Sequence, residues 1–256
     1  MNTAEMTGQI ARGQGFIAAL DQSGGSTPKA LKGYGVDEGA WADEAEMFAL
    51  IHDMRSRIVT APCFTGDKVI GAILFERTMD GQVDGMAVPQ ALIERGVVPF
   101  IKIDKGLEDE ANGVQLMKPI PGLDTLLQRS RAMGVFGTKE RSVINLADAQ
   151  GIAAIVAQQF EVARQVLANG MMPIIEPEVN IKSAERAEAD AMLLEEITKA
   201  LDAMPGDDRV MLKLSFRRRP DCSRRWWRTR ACCAWSRCRV AMRAPKPVPS
   251  LRRTRA

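Results

Sequence analysis

Along most of the chain, short apolar runs alternate with longer segments whose apolar residues recur every three to four positions. The runs are "GFIAALD" (15–21), "VIGAILFE" (69–76), "VVPFIKIDKG" (97–106), "GVFGTKERSVI" (134–144), "MMPIIEPEV" (171–179) and "RVMLKLS" (209–215). Between them lie "DEAEMFALIHDMRSRIV", "VPQALIERG", "GLDTLLQRSRAMG", "ADAQGIAAIVAQQFEVARQVLANG" and "ERAEADAMLLEEITKALDAM". These have helical spacing, and several end at glycine, which closes helices readily. Continuous apolar strands separated by crossover helices imply a parallel sheet in an α/β fold. Either an open doubly wound sheet or a (β/α)₈ TIM barrel would produce this pattern.

The strand ends favour the barrel, because nearly every run closes on charged residues where barrel enzymes carry their chemistry. Those residues are Asp21, Glu76, Asp104 with Lys105, Lys139 with Arg141, Glu176 with Glu178, and Lys213. No Gly-x-Gly-x-x-Gly turn follows the first strand, which counts against a dinucleotide fold. Residues i and i+2 of a strand share a face, so Lys139 points with Arg141, and Glu176 with Glu178. Several cations and carboxylates at one mouth suit acid/base chemistry on an anionic substrate.

Lys213 is embedded in "VMLKLS", where an unpaired ammonium would be costly. A neutral lysine amine attacks carbonyl carbon, and desolvation together with the charges of Lys139 and Arg141 is expected to favour that form. Schiff-base catalysis with a carboxylate such as Glu176 moving the proton is one reading. A lysine snorkelling from a strand end is the other.

Composition divides the chain near Ser215. Residues 216–256 hold 14 of the 35 Lys and Arg but one of the 32 acids, so 1–215 carry 21 bases against 31 acids. Cys63 is the only cysteine of the first part, which gives no disulfide framework and points to a reducing cytoplasm. Neither a signal-peptide pattern nor a membrane-length apolar run is present in the sequence.

The motifs "GFIAALDQSGGSTPKAL", "ILFERTMD", "FIKIDKG", "GTKERSVI", "IIEPEV" and "MLKLS" together resemble the class I fructose-bisphosphate aldolases, in particular their bacterial branch. The resemblance covers residues 15–215. It implies Lys213 as the Schiff-base lysine and Glu176 as proton donor and acceptor. It implies that Asp21 and Lys139 assist carbon–carbon cleavage and carbinolamine turnover, with Glu178 in the same polar cluster. Lys105 and Arg141 match basic positions near the substrate phosphate, and Ser23 lies in the loop after the first strand. The implied reaction is reversible cleavage of fructose 1,6-bisphosphate to dihydroxyacetone phosphate and glyceraldehyde 3-phosphate. No cofactor is implied. A zinc-dependent aldolase needs several histidine ligands, yet the chain has only His52, inside a helical pattern. The expected partner is a small sugar phosphate, with no nucleic acid or membrane, and a homo-oligomer remains open.

After "MLKLS" the resemblance stops. Residues 216–256 crowd arginine, tryptophan and cysteine together; with suitable synonymous codons, a one-base shift rereads "FRRRPDCSRRWWRTRACCAWSRCRVAMR" as "IPPTPGLFAALVEDPRVLRVVALSGGYA". That contains a seventh strand and a glycine-rich phosphate turn. The expectation is a TIM barrel over 1–215, truncated after about six strands, with 216–256 a frameshifted tail, reduced activity and poor folding from unpaired edges. Two rivals stay open: another Schiff-base sugar-phosphate aldolase, and a non-catalytic basic nucleic-acid-binding protein whose arm is the tail.

Overall fold

A computed structural model of the chain describes residues 1–23, 25–206 and 208–215, together with the backbone of 238–242. Six strands carry the architecture: β1 (Phe16–Leu20), β2 (Val69–Leu74), β3 (Val98–Lys102), β4 (Gly137–Ile144), β5 (Met172–Val179) and β6 (Met211–Ser215). Each lies parallel to its successor in the chain, in the unbroken order β1 to β6. A doubly wound sheet would reverse its order at a switch point. This sheet winds one way only, so it curls into a half-barrel with helices on its outer side, the TIM-barrel form of α/β structure. Beyond β6 the backbone of Cys238–Met242 pairs antiparallel. The rest of 216–256, on which the out-of-frame reading falls, lies outside the described residues.

The alternation of each strand divides two cores. Ile73, Phe100, Ile174 and Met211 point into the half-barrel, where Met6 and Ile10 meet them from an N-terminal helix, α1 (Thr3–Arg12). This helix begins with a capping box between Asn2 and Glu5. It has no counterpart among the segments read from the pattern, and its work is to close one end of the interior. On the outer side, Ile144, Ile175, Val179, Leu212 and Leu214 pack under α5 (Ala149–Ala168) and α6 (Arg186–Ala203). Gly137 opens β4 because no larger residue fits there. A Cβ on it would stand 2.1 Å from the Met172 carbonyl oxygen and 2.9 Å from the Phe100 ring. That close approach fits the register in which Lys102 of β3 is the neighbour of Lys139 on β4, and Arg141 of β4 the neighbour of Glu176 on β5.

Two further helices frame the end of the half-barrel where the charges collect. Helix α2 (Thr27–Gly33) follows the loop after β1, and α3 (Glu44–Thr60) packs beside it through Leu31, Met47, Phe48 and Ile51. His52 lies on α3, with Nε2 3.0 Å from the Gln82 carbonyl oxygen. Among the described residues, no helix is long and apolar enough to cross a membrane.

Candidate active site

The inner faces of β4, β5 and β6 place Lys139, Glu176 and Lys213 at one level. Ile174 pairs with Met211, so two residues further on Glu176 stands across from Lys213. The Lys213 Nζ is 2.6 Å from Glu176 Oε1, and Lys139 Nζ is 3.2 Å from Glu176 Oε2. Lys139 also reaches Asp21 Oδ2, just past β1, at 2.7 Å. One carboxylate therefore joins two ammonium groups, and one of those joins a second carboxylate. Lys139, Glu176 and Lys213 stand on three adjacent strands, and Asp21 reaches them from the far end of the sheet because the sheet curls.

Burial makes this chain of charges strong. Lys139 is 3% exposed and Glu176 6%. Burial works against the Lys139 ammonium, but the charges of Asp21, Glu176 and Asp104 outweigh it and raise its pKa above that of ordinary lysine. Burial likewise opposes the Asp21 carboxylate, yet Lys139 overcomes it, helped by Lys213 and Lys102, and holds Asp21 below its usual range. Glu176 Oε2 is buried without a hydrogen-bond partner, since the Lys139 ammonium lies beside it but off the bonding direction.

Lys102 extends the cluster. Its Nζ lies 3.3 Å from Asp104 Oδ1 and donates to Ser23 Oγ at 3.2 Å. Asp104 Oδ2 is a second buried oxygen without a partner. The charged strand ends and the resemblance point to Lys105, and the structure adds Lys102. Lys105 turns outward instead, pairing with Glu76 at 2.7 Å, and Glu76 also binds Arg129. Arg141 and Glu178 pair with each other at 2.9 Å, both more than a third exposed, on the rim above Lys139 and Glu176. The structure thus gathers Asp21, Ser23, Lys139, Glu176 and Lys213, sets Arg141 and Glu178 at the rim, and leaves Lys105 aside.

Behind β4, Glu140 is fully buried, with neither carboxyl oxygen bonded. Burial, followed by the charge of Asp104, pushes it well above ordinary glutamate. It faces the helix layer and takes no part in the cluster. Among the described residues no group of three or more His, Cys, Asp or Glu is arranged to hold a metal ion.

The arrangement offers an amine beside a carboxylate, a second ion pair within reach, and a separate lysine and serine able to bind an anion. Such a set can condense a carbonyl compound and move protons on it. The family model for class-I fructose-bisphosphate aldolase matches residues 2–218. Among solved structures, the chain is similar to fructose-bisphosphate aldolase from Plasmodium falciparum, in complex with TRAP and a small-molecule inhibitor, at 21% identity and a TM-score of 0.64. That match covers 78% of this chain and 59% of the Plasmodium chain. The arginine decarboxylase of Paramecium bursaria Chlorella virus is aligned over 78% of this chain and 59% of its own, at 11% identity and a TM-score of 0.34.

Proposed function

The chain belongs to the class-I fructose-bisphosphate aldolase family, and from that premise we propose that it is a Schiff-base aldolase acting on fructose 1,6-bisphosphate without a metal. The observation that carries this reading is the Lys213 amine 2.6 Å from Glu176 Oε1, inside a half-barrel where Glu176 Oε2 has no hydrogen-bond partner.

In this reading Glu176 takes a proton from Lys213, whose freed lone pair adds to the C2 carbonyl of the ketose. Glu176 returns the proton to the C2 oxygen, water leaves, and an iminium remains. Removal of the C4 hydroxyl proton then breaks the C3–C4 bond, its electron pair passing into the iminium to give an enamine and a free aldehyde. Asp21 and Lys139, 2.7 Å apart, support this step: the carboxylate receives the proton, and the ammonium steadies the negative charge that develops on the C4 oxygen before the bond breaks. Protonation at C3 and hydrolysis release dihydroxyacetone phosphate and restore Lys213.

The phosphates are met by cations. Lys102 with Ser23 Oγ holds one on the floor, and Arg141, released from Glu178, meets the other at the rim. Lys105 keeps its pairing with Glu76. Turnover of the chain as it stands is reduced in this account, because residues 216–256 depart from the motifs that precede them. A coupled cleavage assay tests the proposal: Lys213→Met abolishes fructose 1,6-bisphosphate cleavage, and treatment with chelator leaves the parent rate unchanged. A Lys213→Met protein that cleaves at the parent rate overturns it.

A further inference from the structure

Arg55 is the largest charged side chain in the core. It lies on α3, is 1% exposed, and follows Phe48 and Ile51 on the buried stripe of that helix. Its guanidinium forms no ion pair with a carboxylate among the described residues. Nη1 donates to Thr78 Oγ1 at 2.6 Å, and Nη2 donates to the Gln22 carbonyl at 2.7 Å and to Gln22 Oε1 at 3.2 Å. Nε is buried without a partner. Burial pulls the group down to about 10, with the charge of Asp21 resisting. A cation buried at this cost against neutral oxygens calls for an explanation that packing does not supply.

Gln22 supplies it. The residue stands between Asp21, which meets Lys139, and Ser23, which meets Lys102. Thr78 follows β2, in the short helix α4 (Glu76–Met79). The forked guanidinium therefore ties the loop after β1 to the end of β2 at the one residue flanked by both site contacts. A lysine cannot repeat this, since two nitrogens of a planar group reach two elements at once.

We propose that Arg55 is a positioning residue: by clamping Gln22 to Thr78 it holds Ser23 at the phosphate-binding Lys102 and Asp21 at Lys139. This rests on the Schiff-base reading for its functional consequence, but the clamp itself does not depend on that reading. Arg55 touches no reacting atom, so its loss weakens recognition of the phosphate and leaves the Lys213–Glu176 pair able to condense.

The test compares the full chain with Arg55→Met, Arg55→Lys and Thr78→Val by two measurements. Amide hydrogen exchange across residues 19–27 rises about tenfold in Arg55→Met and Arg55→Lys, as expected for losing one or two oriented bonds to the loop. Exchange in β4 and β5 stays as in the parent. Borohydride capture on Lys213 separates the functional consequence: half-saturation by dihydroxyacetone phosphate rises about tenfold, while capture of dihydroxyacetone, which lacks the phosphate, is unchanged. Thr78→Val keeps the side-chain shape and shows the same changes in smaller measure, which serves if Arg55→Met does not fold. Unchanged exchange over 19–27 in these variants overturns the clamp. Equal weakening for both carbonyl compounds overturns the positioning role. If the parent captures neither compound, the Schiff-base reading fails, and exchange alone decides for or against Arg55.

Discussion

Replacing Lys139 by methionine removes the cation that two buried carboxylates share. At an effective dielectric of about 20, unit charges 2.7 Å and 3.2 Å apart attract by about 6 and about 5 kcal/mol, the separations of Lys139 from Asp21 and Glu176. Desolvation offsets much of this in the intact pair, whereas deleting one partner exposes the penalty on the other, typically about 3–5 kcal/mol. The loss is pH-dependent, with a sign that can be worked out. In the parent, Asp21 sits below its ordinary value, so its contribution is present above about pH 4 and is lost as pH falls through the lowered value. In Lys139→Met, burial, the largest influence on Asp21, loses its main counterweight, and Lys213 and Lys102 are the lesser ones. Asp21 then titrates above its unfolded value, and stability declines as pH rises from about 4. Urea unfolding midpoints from pH 4.5 to 8 read this directly: the gap between parent and Lys139→Met widens with pH, reaching about 3–5 kcal/mol near neutrality. A gap below about 1 kcal/mol, or one that stays constant with pH, refutes the electrostatic account of the cluster.

The phosphate assignment separates two nearby lysines. Lys102→Ala raises the dihydroxyacetone phosphate concentration that half-saturates borohydride capture by about tenfold or more, the worth of a charged hydrogen bond, and Lys105→Ala changes it by less than about twofold; equal effects would return Lys105 to the site. Glu140, raised by burial behind β4, costs the fold stability as pH rises above the ordinary glutamate value, by up to about 1.4 kcal/mol per pH unit until its raised value is reached. Glu140→Gln therefore melts higher than the parent at pH 8 and matches it more closely near pH 4, and a parallel pair of melting curves would show that this carboxyl is not neutral when folded. The exposed rim pair is worth little to the fold, so Glu178→Gln shifts the unfolding free energy by less than about 1 kcal/mol.

The alternation of apolar runs and helical stripes was enough to read a parallel sheet, because strands covered on both faces need apolar residues at every position. The unbroken order of those strands was not legible, since the same alternation serves barrels and doubly wound sheets; the charged strand ends tipped the reading, and the curl of the sheet bears it out. Helix α1 has no legible stripe because only Met6 and Ile10 of its ten residues are buried. Within the site, Lys139, Glu176 and Lys213 stood out as charges in apolar strands. Lys102 has a signal in the sequence: in "FIKIDKG" the alternation places Lys102 and Asp104 with inward-facing Phe100, and Lys105 with outward-facing Ile101 and Ile103. Arg55 had one too, an arginine on the buried spacing of Phe48, Ile51 and Val59. Its partners, Gln22 and Thr78, lie 33 and 23 residues away, so no local pattern could name them.

The account depends on a covalent bond between the ketose carbon and one lysine. Incubating the full chain with dihydroxyacetone phosphate, reducing with borohydride and mapping peptides by mass spectrometry tests that bond directly. The account predicts a reduced triose phosphate adduct on Lys213, absent from Lys213→Met and undiminished by chelator; an adduct on any other lysine, or none in the folded parent, contradicts it.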